Sequence, residues 1–237
     1  MEIKRFFAFV LCLWTLSSFA AKPRHQYVKI ETSLGTCIVK LYNETPLHRD
    51  NFLKLAKKHV FDGTLFHRVI INFMIQGGDP DSKNASPEAL LGEGDLGYTI
   101  PAEFRDSLFH KKGVLAAARD DNPQKASSAS QFYLVQGKKF TDEQLNSVEK
   151  NSLMAKIPDW QREIYKSLGG TPHLDRTYTV YGEIVKGLEM VDSIAGGPTG
   201  ANNRPVTDIK MTVTVLKRRA AKKLEKELKK SNTTIQS

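Results

Sequence analysis

Short runs of strand-forming residues, each bounded by Gly, Pro, Asn or Asp, make up most of the middle of this sequence. Residues 27–32 and 36–42 alternate apolar and polar side chains around Gly35, which predicts a β-hairpin. Many short strands beside few helices favour an antiparallel barrel or sandwich and argue against βαβ units. The further strand-like runs cover residues 65–71, 73–76, 98–100, 114–118, 131–135, 178–185 and 209–215.

Helical patterns are confined to a few segments. Thr45 and Pro46 are typical of a helix N-cap followed by proline in the first turn, so a helix is predicted to begin at Pro46. A second, short helix is predicted over residues 188–194. Residues 142–168 are charged, rich in helix formers and followed by two glycines. We interpret them as a helical loop inserted at about 140–172.

The positive charge of the chain is concentrated at its C-terminal end. The formal net charge is +9, but residues 217–230 alone carry eight basic and two acidic side chains. The body is therefore nearly balanced and lacks the broad basic face that phosphate backbones require, so nucleic-acid binding is not expected. Ala220, Leu224 and Leu228 place a narrow apolar stripe on the tail. This pattern predicts a basic helical tail over 219–237 that is either solvated or bound to an acidic partner.

The first 21 residues have the three parts of an export signal. Lys4 and Arg5 form a positive start, residues 6–16 form an apolar stretch, and small residues follow up to Ala20 and Ala21. We expect cleavage after one of these two alanines and an exported protein, with the periplasm as the expected compartment. Secretion or a eukaryotic secretory lumen would use a similar signal, and a buried helix is a further alternative. No apolar run reaches the ~18 residues of a membrane span.

The two cysteines do not form a disulfide framework. Cys12 lies inside the predicted signal, where its use as the acylated residue of a lipoprotein would require an unusually short apolar stretch. Removal of the signal leaves Cys37 as the single cysteine of the mature chain. Cys37 lies in an alternating strand pattern, so a small buried side chain is expected there in preference to a nucleophile.

The motifs of nucleophilic, nucleotide-dependent and zinc-dependent catalysis are absent from the sequence. There is no Gly-x-Ser-x-Gly elbow, no phosphate-binding loop and no His-Glu-x-x-His pair. The six histidines show no metal-ligand spacing, and we interpret them as packing or surface residues. The sequence therefore offers no motif for a metal or a nucleotide cofactor.

One segment, FHRVIINFMIQGGD at residues 66–79, combines unusual side chains over a short distance. If it forms strands, Arg68, Phe73, Met74 and Gln76 bring a guanidinium and an amide next to an apolar surface. The alternative from periodicity alone is that Phe73 and Met74 belong to the core and that Arg68 is a surface charge. The periodicity by itself favours the second of these interpretations.

The same segment closely resembles the signature of the cyclophilins, the cyclosporin-binding class of peptidyl-prolyl cis-trans isomerases. Other blocks match this family in the same order along the chain: GVLAAA at 113–118, SQFYL at 130–134, Leu174-Asp175, and VYGEIVKG at 180–187. The likeness covers about residues 27–217 and is interrupted by the inserted loop. Because several motifs match in register, the sequence is identified as a bacterial-like, exported member of this family.

The resemblance implies a fold, an activity and a domain organisation. The expected fold is mainly β: a closed eight-stranded antiparallel β-barrel capped by two α-helices, in an isomerase domain at 27–218. The implied activity is faster rotation about X-Pro bonds during the folding of exported proteins. The implied partners are unfolded or extended polypeptides that contain proline, and a monomer is expected. The resemblance implies neither a metal nor a cofactor.

The resemblance also assigns roles to individual positions. Arg68 matches the catalytic arginine, and with Gln76 and Phe73 it forms the expected catalytic set. Gln76 matches the glutamine that holds the substrate backbone. The other matched positions are expected to bind substrate, through an apolar wall around the proline or through backbone pairing with the peptide. They are Met74, Tyr133, Leu174, His173 and Tyr178 for the wall, and Ala118 and Arg119 for the backbone.

Some positions depart from the family pattern. His173 stands where many members have a Trp that helps to bind cyclosporin, so weak cyclosporin binding is expected. Tyr178 replaces a pocket-side His, and Arg119 replaces a common Asn. Tyr133 replaces Phe and adds a hydroxyl that requires a hydrogen-bond partner or water. The inserted loop adjoins Leu174, where it would either extend the substrate groove or remain a solvent-covered addition.

Two other functions are compatible with the same residues. The departures at His173, Tyr178 and Arg119 are also expected of a binding module that holds proline-containing segments without turning them over. The basic tail would alternatively serve a protein that binds polyanions. Isomerase activity that depends on Arg68 tests the first alternative, and deletion of residues 219–237 tests the second.

Overall fold

The computed structural model describes residues 25–235. The predictions for residues 1–21, including the use of Cys12, lie outside the described residues. Ten strands follow one another along the described part of the chain: β1 Gln26–Thr32, β2 Gly35–Leu41, β3 Arg68–Ile70, β4 Met74–Gly77, β5 Thr99–Ile100, β6 Val114–Ala117, β7 Ser127–Ser128, β8 Phe132–Val135, β9 Val180–Lys186 and β10 Met211–Val215.

Eight of these strands form one antiparallel sheet in the order β10-β1-β2-β9-β6-β8-β4-β3, and β5 pairs separately with β7. The predicted hairpin is present, because β1 and β2 pair along their whole length around the turn before Gly35. The strand-like runs of the sequence therefore do build a mainly β, antiparallel fold.

The sheet is not a closed barrel. Its order ends at β10 on one side and at β3 on the other. Between these edges the chain makes an isolated bridge from Leu65 to Lys210 and a few backbone hydrogen bonds, such as Phe66 N–H to the Ile209 carbonyl at 2.9 Å. β3 has only three residues, which is too short to continue a ladder to β10. The prediction of a closed eight-stranded barrel was therefore wrong, and the sheet is an open half-barrel.

Two helices pack on the inner face of the sheet. α1 spans Pro46–Lys57, and a later helix, α4, spans Glu189–Ala195. Phe52 of α1 and Val191 of α4 are buried in the same core as the strands. Pro46 opens α1 as predicted, whereas the buried Thr45 hydroxyl makes no capping hydrogen bond. The fixed backbone angle of the proline therefore accounts for the start of this helix.

The predicted helical insertion contains α2 (Asp142–Val148), a π-helical turn (Glu149–Leu153) and α3 (Asp159–Ser167). Thr141 and Gln144 form a capping box at the start of α2, which satisfies two backbone N–H groups. The insertion folds around a small core of its own that also includes one aromatic ring from the body. The buried members of this core are Phe109, Leu145, Ile157 and Tyr165.

The centre of the sheet buries side chains on both faces. All four residues of β6 and all four of β8 are buried. Because alternate residues of a strand point to opposite faces, Leu115, Phe132 and Leu134 enter the main core, whereas Ala116 and Tyr133 enter a second apolar cluster. Because both faces are buried, the outer face of the sheet at β6 and β8 is covered by apolar side chains and is not exposed to solvent.

The basic tail forms the last helix, α5, at Arg218–Ile235. Leu224 is buried, the Tyr27 hydroxyl donates a hydrogen bond to Glu225 at 3.4 Å, and the Lys186 ammonium lies 3.8 Å from the Glu227 carboxylate. These contacts dock α5 on the body of the protein. Among residues 25–235, no helix combines the length and the apolar character needed to cross a membrane.

An ion cluster on the sheet predicts a pH dependence of stability. Glu183 on β9 pairs with Lys40 and, at 2.9 Å, with Lys111. Burial alone would raise the pKa of Glu183, but the hydrogen bonds and charges of the two lysines lower this pKa to about 2. Because the folded-state pKa lies below the ordinary value of 4.5, Glu183 stabilises the fold fully above pH 4.5, and this contribution is lost as the pH falls towards 2.

Glu183→Gln should lower the free energy of unfolding at neutral pH by about 2 kcal/mol and flatten its decline under acidic conditions. Urea unfolding measured between pH 4.5 and pH 2 and again at neutral pH tests both effects. Glu31→Gln, which removes the exposed partner of Lys29, is the matched control and should change little. An acidic decline as steep in Glu183→Gln as in the wild type would contradict this account.

Candidate active site

Three of the predicted site residues, Arg68, Gln76 and Tyr133, lie in one row across the sheet, which Ala116 continues. Arg68 on β3 lies opposite Gln76 on β4, Gln76 lies opposite Tyr133 on β8, and Tyr133 lies opposite Ala116 on β6. Because directly opposite residues share a face, the four side chains project on the same side of the sheet. Met74 precedes Gln76 by two residues and projects on that side as well. The register thus places a guanidinium and an amide at one end of an apolar surface.

The apolar surface beside Arg68 is a defined group of side chains, which we call the outer cluster. The predicted wall residues Phe73, Met74, Tyr133 and Leu174 all belong to it, although Phe73 lies in the turn before β4 and not on a strand. The buried members are Tyr42, Met74, Val114, Ala116, Ala118, Tyr133, Val135 and Val180, and the partly buried members are Ile70, Phe73, Leu108, Leu174 and Tyr178.

A chain of hydrogen bonds orients Arg68. Its Nη1 donates to Gln76 Oε1 at 3.2 Å, and Gln76 Nε2 donates to Gln131 Oε1 at 3.1 Å. Gln131 Nε2 in turn donates to the carbonyls of Gly92 at 2.7 Å and Gly94 at 2.8 Å. Because carbonyls only accept, they fix the orientation of both amides and direct Gln76 Oε1 towards the guanidinium. Arg68 is exposed, so its other N–H donors are open to solvent.

Burial lowers the pKa of two histidines beside the site. Burial lowers the pKa of His67 to about 4, against the opposing charge of Asp79. Burial also lowers the pKa of His173, whose ring stacks on Phe73 with centroids 5.5 Å apart. Weak cyclosporin binding through His173 stays a prediction. Within residues 25–235, His, Cys, Asp and Glu side chains form no group of three or more that is arranged to hold a metal ion.

Arg119 contacts Tyr178, a partly buried member of the outer cluster. The Arg119 guanidinium carbon is 4.8 Å from the centroid of the Tyr178 ring, and its Nε donates to the Thr177 carbonyl at 3.0 Å. The Tyr178 ring meets the Tyr133 ring edge to face, with centroids 5.9 Å apart. The Arg119 side chain therefore packs against Tyr178, which in turn contacts Tyr133.

The backbone of Ala118 is already paired within the chain. Its N–H donates to the Gln131 carbonyl at 3.0 Å, and its carbonyl accepts from the Ser128 N–H at 2.9 Å. A bound peptide therefore meets no unused N–H at this position. The expected backbone pairing of peptide with Ala118 and Arg119 stays a prediction. A cavity of about 80 Å³, lined in part by Gln76, Ala118, Arg119 and Gln131, opens beside these residues.

The sequence matches a known family over the same region that contains this site. The family model described as "Cyclophilin type peptidyl-prolyl cis-trans isomerase/CLD" matches residues 27–215. The chain belongs to this family. The predicted enzyme class, a cyclophilin-type peptidyl-prolyl cis-trans isomerase, is confirmed.

Several relatives of this cyclophilin have the same name. It is 33% identical over 183 residues to a protein of Staphylococcus haemolyticus named as a peptidyl-prolyl cis-trans isomerase, covering 77% of this chain and 86% of that one. A Staphylococcus aureus protein of the same name is 34% identical, with 77% and 87% covered. A Streptococcus pyogenes protein named as a bifunctional phosphatase/peptidyl-prolyl cis-trans isomerase is 36% identical. The match covers 77% of this cyclophilin but only 37% of the longer Streptococcus pyogenes protein.

Solved structures show the same fold. A crystal structure of a cyclophilin type peptidyl-prolyl cis-trans isomerase of Cryptosporidium parvum has a TM-score of 0.62 at 20% identity, covering 82% of this cyclophilin and 99% of that chain. A second crystal structure of that protein, in the presence of the dipeptide Ala-Pro, has a TM-score of 0.61 at 21% identity, with 81% and 100% covered. At this identity the likeness concerns the fold alone, and it confirms a mainly β, cyclophilin-like architecture.

The cyclophilin also contains a buried group of polar side chains next to Tyr133, which no motif in the sequence indicates. The Tyr133 hydroxyl lies 2.9 Å from His110 Nε2, and His110 Nδ1 lies 2.8 Å from Asp175 Oδ1. Tyr165 of the insertion donates to the second Asp175 oxygen at 2.6 Å. From the sequence, His110 is only a packing or surface residue. It is 65 positions away from Asp175, so no local spacing indicates their contact.

Proposed function

We propose that this cyclophilin is an exported enzyme that accelerates rotation about X-Pro bonds in unfolded or extended polypeptides. One observation carries the proposal: the exposed Arg68 guanidinium lies in the same row as Gln76 and Tyr133, beside the outer cluster. Arg68 acts on the twisted bond, and Gln76 and Phe73 complete the proposed catalytic set. Gln76 orients the guanidinium, and Phe73 contacts the proline ring.

Arg68 acts on the nitrogen of the X-Pro bond. Amide resonance gives rotation a barrier of ~18–20 kcal/mol. In the twisted transition state the prolyl nitrogen loses conjugation, becomes pyramidal and presents a lone pair. A guanidinium N–H donates to this lone pair, and that hydrogen bond is stronger in the twisted state than in the planar one. Arginine suits the role because it stays charged and because its planar donors are held in place, here by Gln76 Oε1.

The outer cluster supplies apolar surroundings for the proline ring. The twisted amide is less dipolar than the planar one, so apolar surroundings disfavour the transition state less than the ground state. The uncatalysed exchange takes ~10–100 s, so exchange in milliseconds requires an acceleration of about 10⁴–10⁵-fold, or roughly 5.5–7 kcal/mol. A desolvated guanidinium hydrogen bond together with binding of the proline is of this size.

The proposed substrate is an extended chain that crosses the outer face of the sheet. The outer cluster lies outside the main core, so a continuous polypeptide reaches Arg68 without being threaded through the protein. The Cryptosporidium parvum relative was crystallised in the presence of Ala-Pro, which supports proline recognition here. The proposed rotation breaks no covalent bond and transfers no electrons, so the side chains of one monomer suffice.

The exported location rests on the N-terminal sequence. Residues 1–21 have the features of an export signal, and newly translocated chains fold where slow X-Pro exchange limits their rate. We place the mature isomerase domain at 27–218 and the basic tail at 219–237, in the periplasm. Mass spectrometry of the protein from cell fractions tests this location. We expect a periplasmic chain that begins after Ala20 or Ala21, and a full-length chain in the cytoplasm would refute export.

The activity is tested by NMR exchange spectroscopy on a peptide with a single X-Pro bond. We expect the protein to accelerate exchange between the cis and trans resonances. A binding module would shift these resonances without faster exchange, which would refute the proposed activity. Deletion of residues 219–237 should leave the acceleration unchanged, because α5 docks far along the sheet on β1 and β9 and not on the outer cluster.

A further inference from the structure

Four buried side chains form a continuous chain of hydrogen bonds from the insertion to the outer cluster. Tyr165 on α3 donates to Asp175 Oδ2 at 2.6 Å, and Asp175 Oδ1 lies 2.8 Å from His110 Nδ1. The His110 backbone N–H also donates to Asp175 Oδ1 at 2.8 Å. His110 Nε2 lies 2.9 Å from the Tyr133 hydroxyl. All four residues are at most 8% exposed, so water competes little for these bonds.

The donor and acceptor roles along this chain follow from the groups themselves. Burial raises the pKa of both Tyr133 and Tyr165 well above its usual value, so both hydroxyls carry protons at neutral pH. A carboxylate only accepts, so Asp175 receives hydrogen bonds from Tyr165 and from His110 Nδ1–H. In a neutral ring His110 Nε2 then has a free lone pair, and it accepts from Tyr133. With a neutral His110 ring, every group in the chain is satisfied in this arrangement.

The Tyr165 end of the chain is held rigidly. The ring is completely buried and meets Phe109 edge to face at 5.3 Å and Phe140 at 6.3 Å between centroids. The insertion is also fixed to the body at its end, where Thr171 N–H donates to the His110 carbonyl at 2.8 Å. Gly170 allows this close approach, because a Cβ there would lie 2.2 Å from the His110 carbonyl oxygen. The insertion therefore anchors both the backbone and the side chain of His110.

We propose that the insertion is a working part of the site, and that Tyr165, Asp175 and His110 are positioning residues that hold the Tyr133 ring in the proline pocket. The inference rests on the proposed function, because it takes the outer cluster to be the place where proline binds. Loss of the Tyr165 bond frees Asp175 Oδ2 and leaves the carboxylate held by His110 alone, so that the His110 and Tyr133 rings are less firmly positioned. Removal of the Tyr165 hydrogen bond should therefore weaken substrate binding more than it slows the rotation step, because Gln76 orients Arg68 independently.

Tyr165→Phe removes one hydroxyl and keeps the ring, and it is the first test. We expect KM for an X-Pro peptide to rise about 5-fold while kcat changes less than about twofold. In a Tyr133→Phe background, where the chain no longer reaches the pocket, the same substitution should change KM less than about twofold. Tyr27→Phe removes another phenol hydroxyl bonded to a carboxylate and is the matched control. A folded Tyr165→Phe protein with the wild-type KM would overturn the proposal.

Nitrogen-15 NMR of the wild-type histidines decides the question if Tyr165→Phe does not fold. At a pH where the His110 ring is neutral, we expect its proton on Nδ1, and we expect the Nε2 resonance to shift when an X-Pro peptide saturates the protein. A neutral ring that carries its proton on Nε2 would overturn the proposal. So would an Nε2 resonance whose chemical shift does not change when the peptide is added. These spectra measure peptide binding and not turnover. Failure of the protein to accelerate cis-trans exchange would therefore refute the proposed function, whereas the spectra would still test the role of the hydrogen bonds from Tyr165 to Tyr133.

Discussion

Replacement of Arg68 by alanine should lower kcat/KM for X-Pro isomerisation by about 100- to 1,000-fold. This is the usual effect of removing one preorganised donor that acts on the transition state. The hydrogen bond forms mainly when the amide is twisted, so kcat should fall more than KM rises. Arg68 is exposed on the edge strand β3, so the free energy of unfolding should change by less than about 1 kcal/mol.

Two further variants make the Arg68 result specific. Arg68→Lys keeps the charge but loses the planar set of donors, so it should retain more activity than Arg68→Ala but remain well below the wild type. Arg49→Ala removes an arginine on α1 that is hydrogen-bonded to Asp50 and Asn43, and it should leave kcat/KM unchanged. The NMR exchange rate with a single-proline peptide measures all three. Arg68→Ala activity within threefold of the wild type would remove Arg68 from the mechanism.

Phe132→Ala should lower the free energy of unfolding by about 3–5 kcal/mol. Phe132 is completely buried, and its ring meets those of Phe52, Phe61 and Phe66 edge to face, with centroids 5.4, 5.7 and 6.1 Å apart. Such pairs contribute about 0.5–1.5 kcal/mol each beyond the burial of their area. Because Phe52 lies on α1 and Phe132 on β8, the truncation weakens the attachment of the helix to the sheet.

Urea unfolding followed by circular dichroism measures the effect of Phe132→Ala. Phe132→Leu retains most of the apolar volume and should lose less than half as much stability. Phe104→Ala removes a half-buried ring outside this aromatic group, and it should cost less than about 1.5 kcal/mol. A loss below about 1.5 kcal/mol in Phe132→Ala would mean that the four rings do not act as the centre of the core.

The parts of the fold that depend on local pattern were predictable from the sequence. The hairpin around Gly35 follows from alternation, and the start of α1 follows from Pro46. Cys37 is completely buried as predicted, and burial raises the pKa of its thiol to about 12. The family resemblance, and not the periodicity, assigned Arg68 and Gln76 to one site, and the register of β3 and β4 places them opposite each other.

The parts that depend on contacts distant in sequence were not predictable. Barrel closure depends on whether a ladder joins β3 to β10, and local periodicity carries no information about its length. The contact between His110 and Asp175 joins positions that no motif relates. The composition of the insertion indicates helices, but it does not say which acceptor the Tyr165 hydroxyl meets. The sequence therefore left the insertion as either a groove extension or a decoration, and its contacts favour a support behind the pocket.

Phe132 and Tyr133 point to opposite faces of β8, and this arrangement links thermal inactivation of the enzyme to thermal unfolding. These consecutive residues join the aromatic interior to the pocket wall with no flexible segment between them. Heating that loosens the core therefore also displaces the pocket wall. No folded but inactive state should be populated at temperatures below the unfolding transition. Thermal inactivation should therefore coincide with melting of the whole domain.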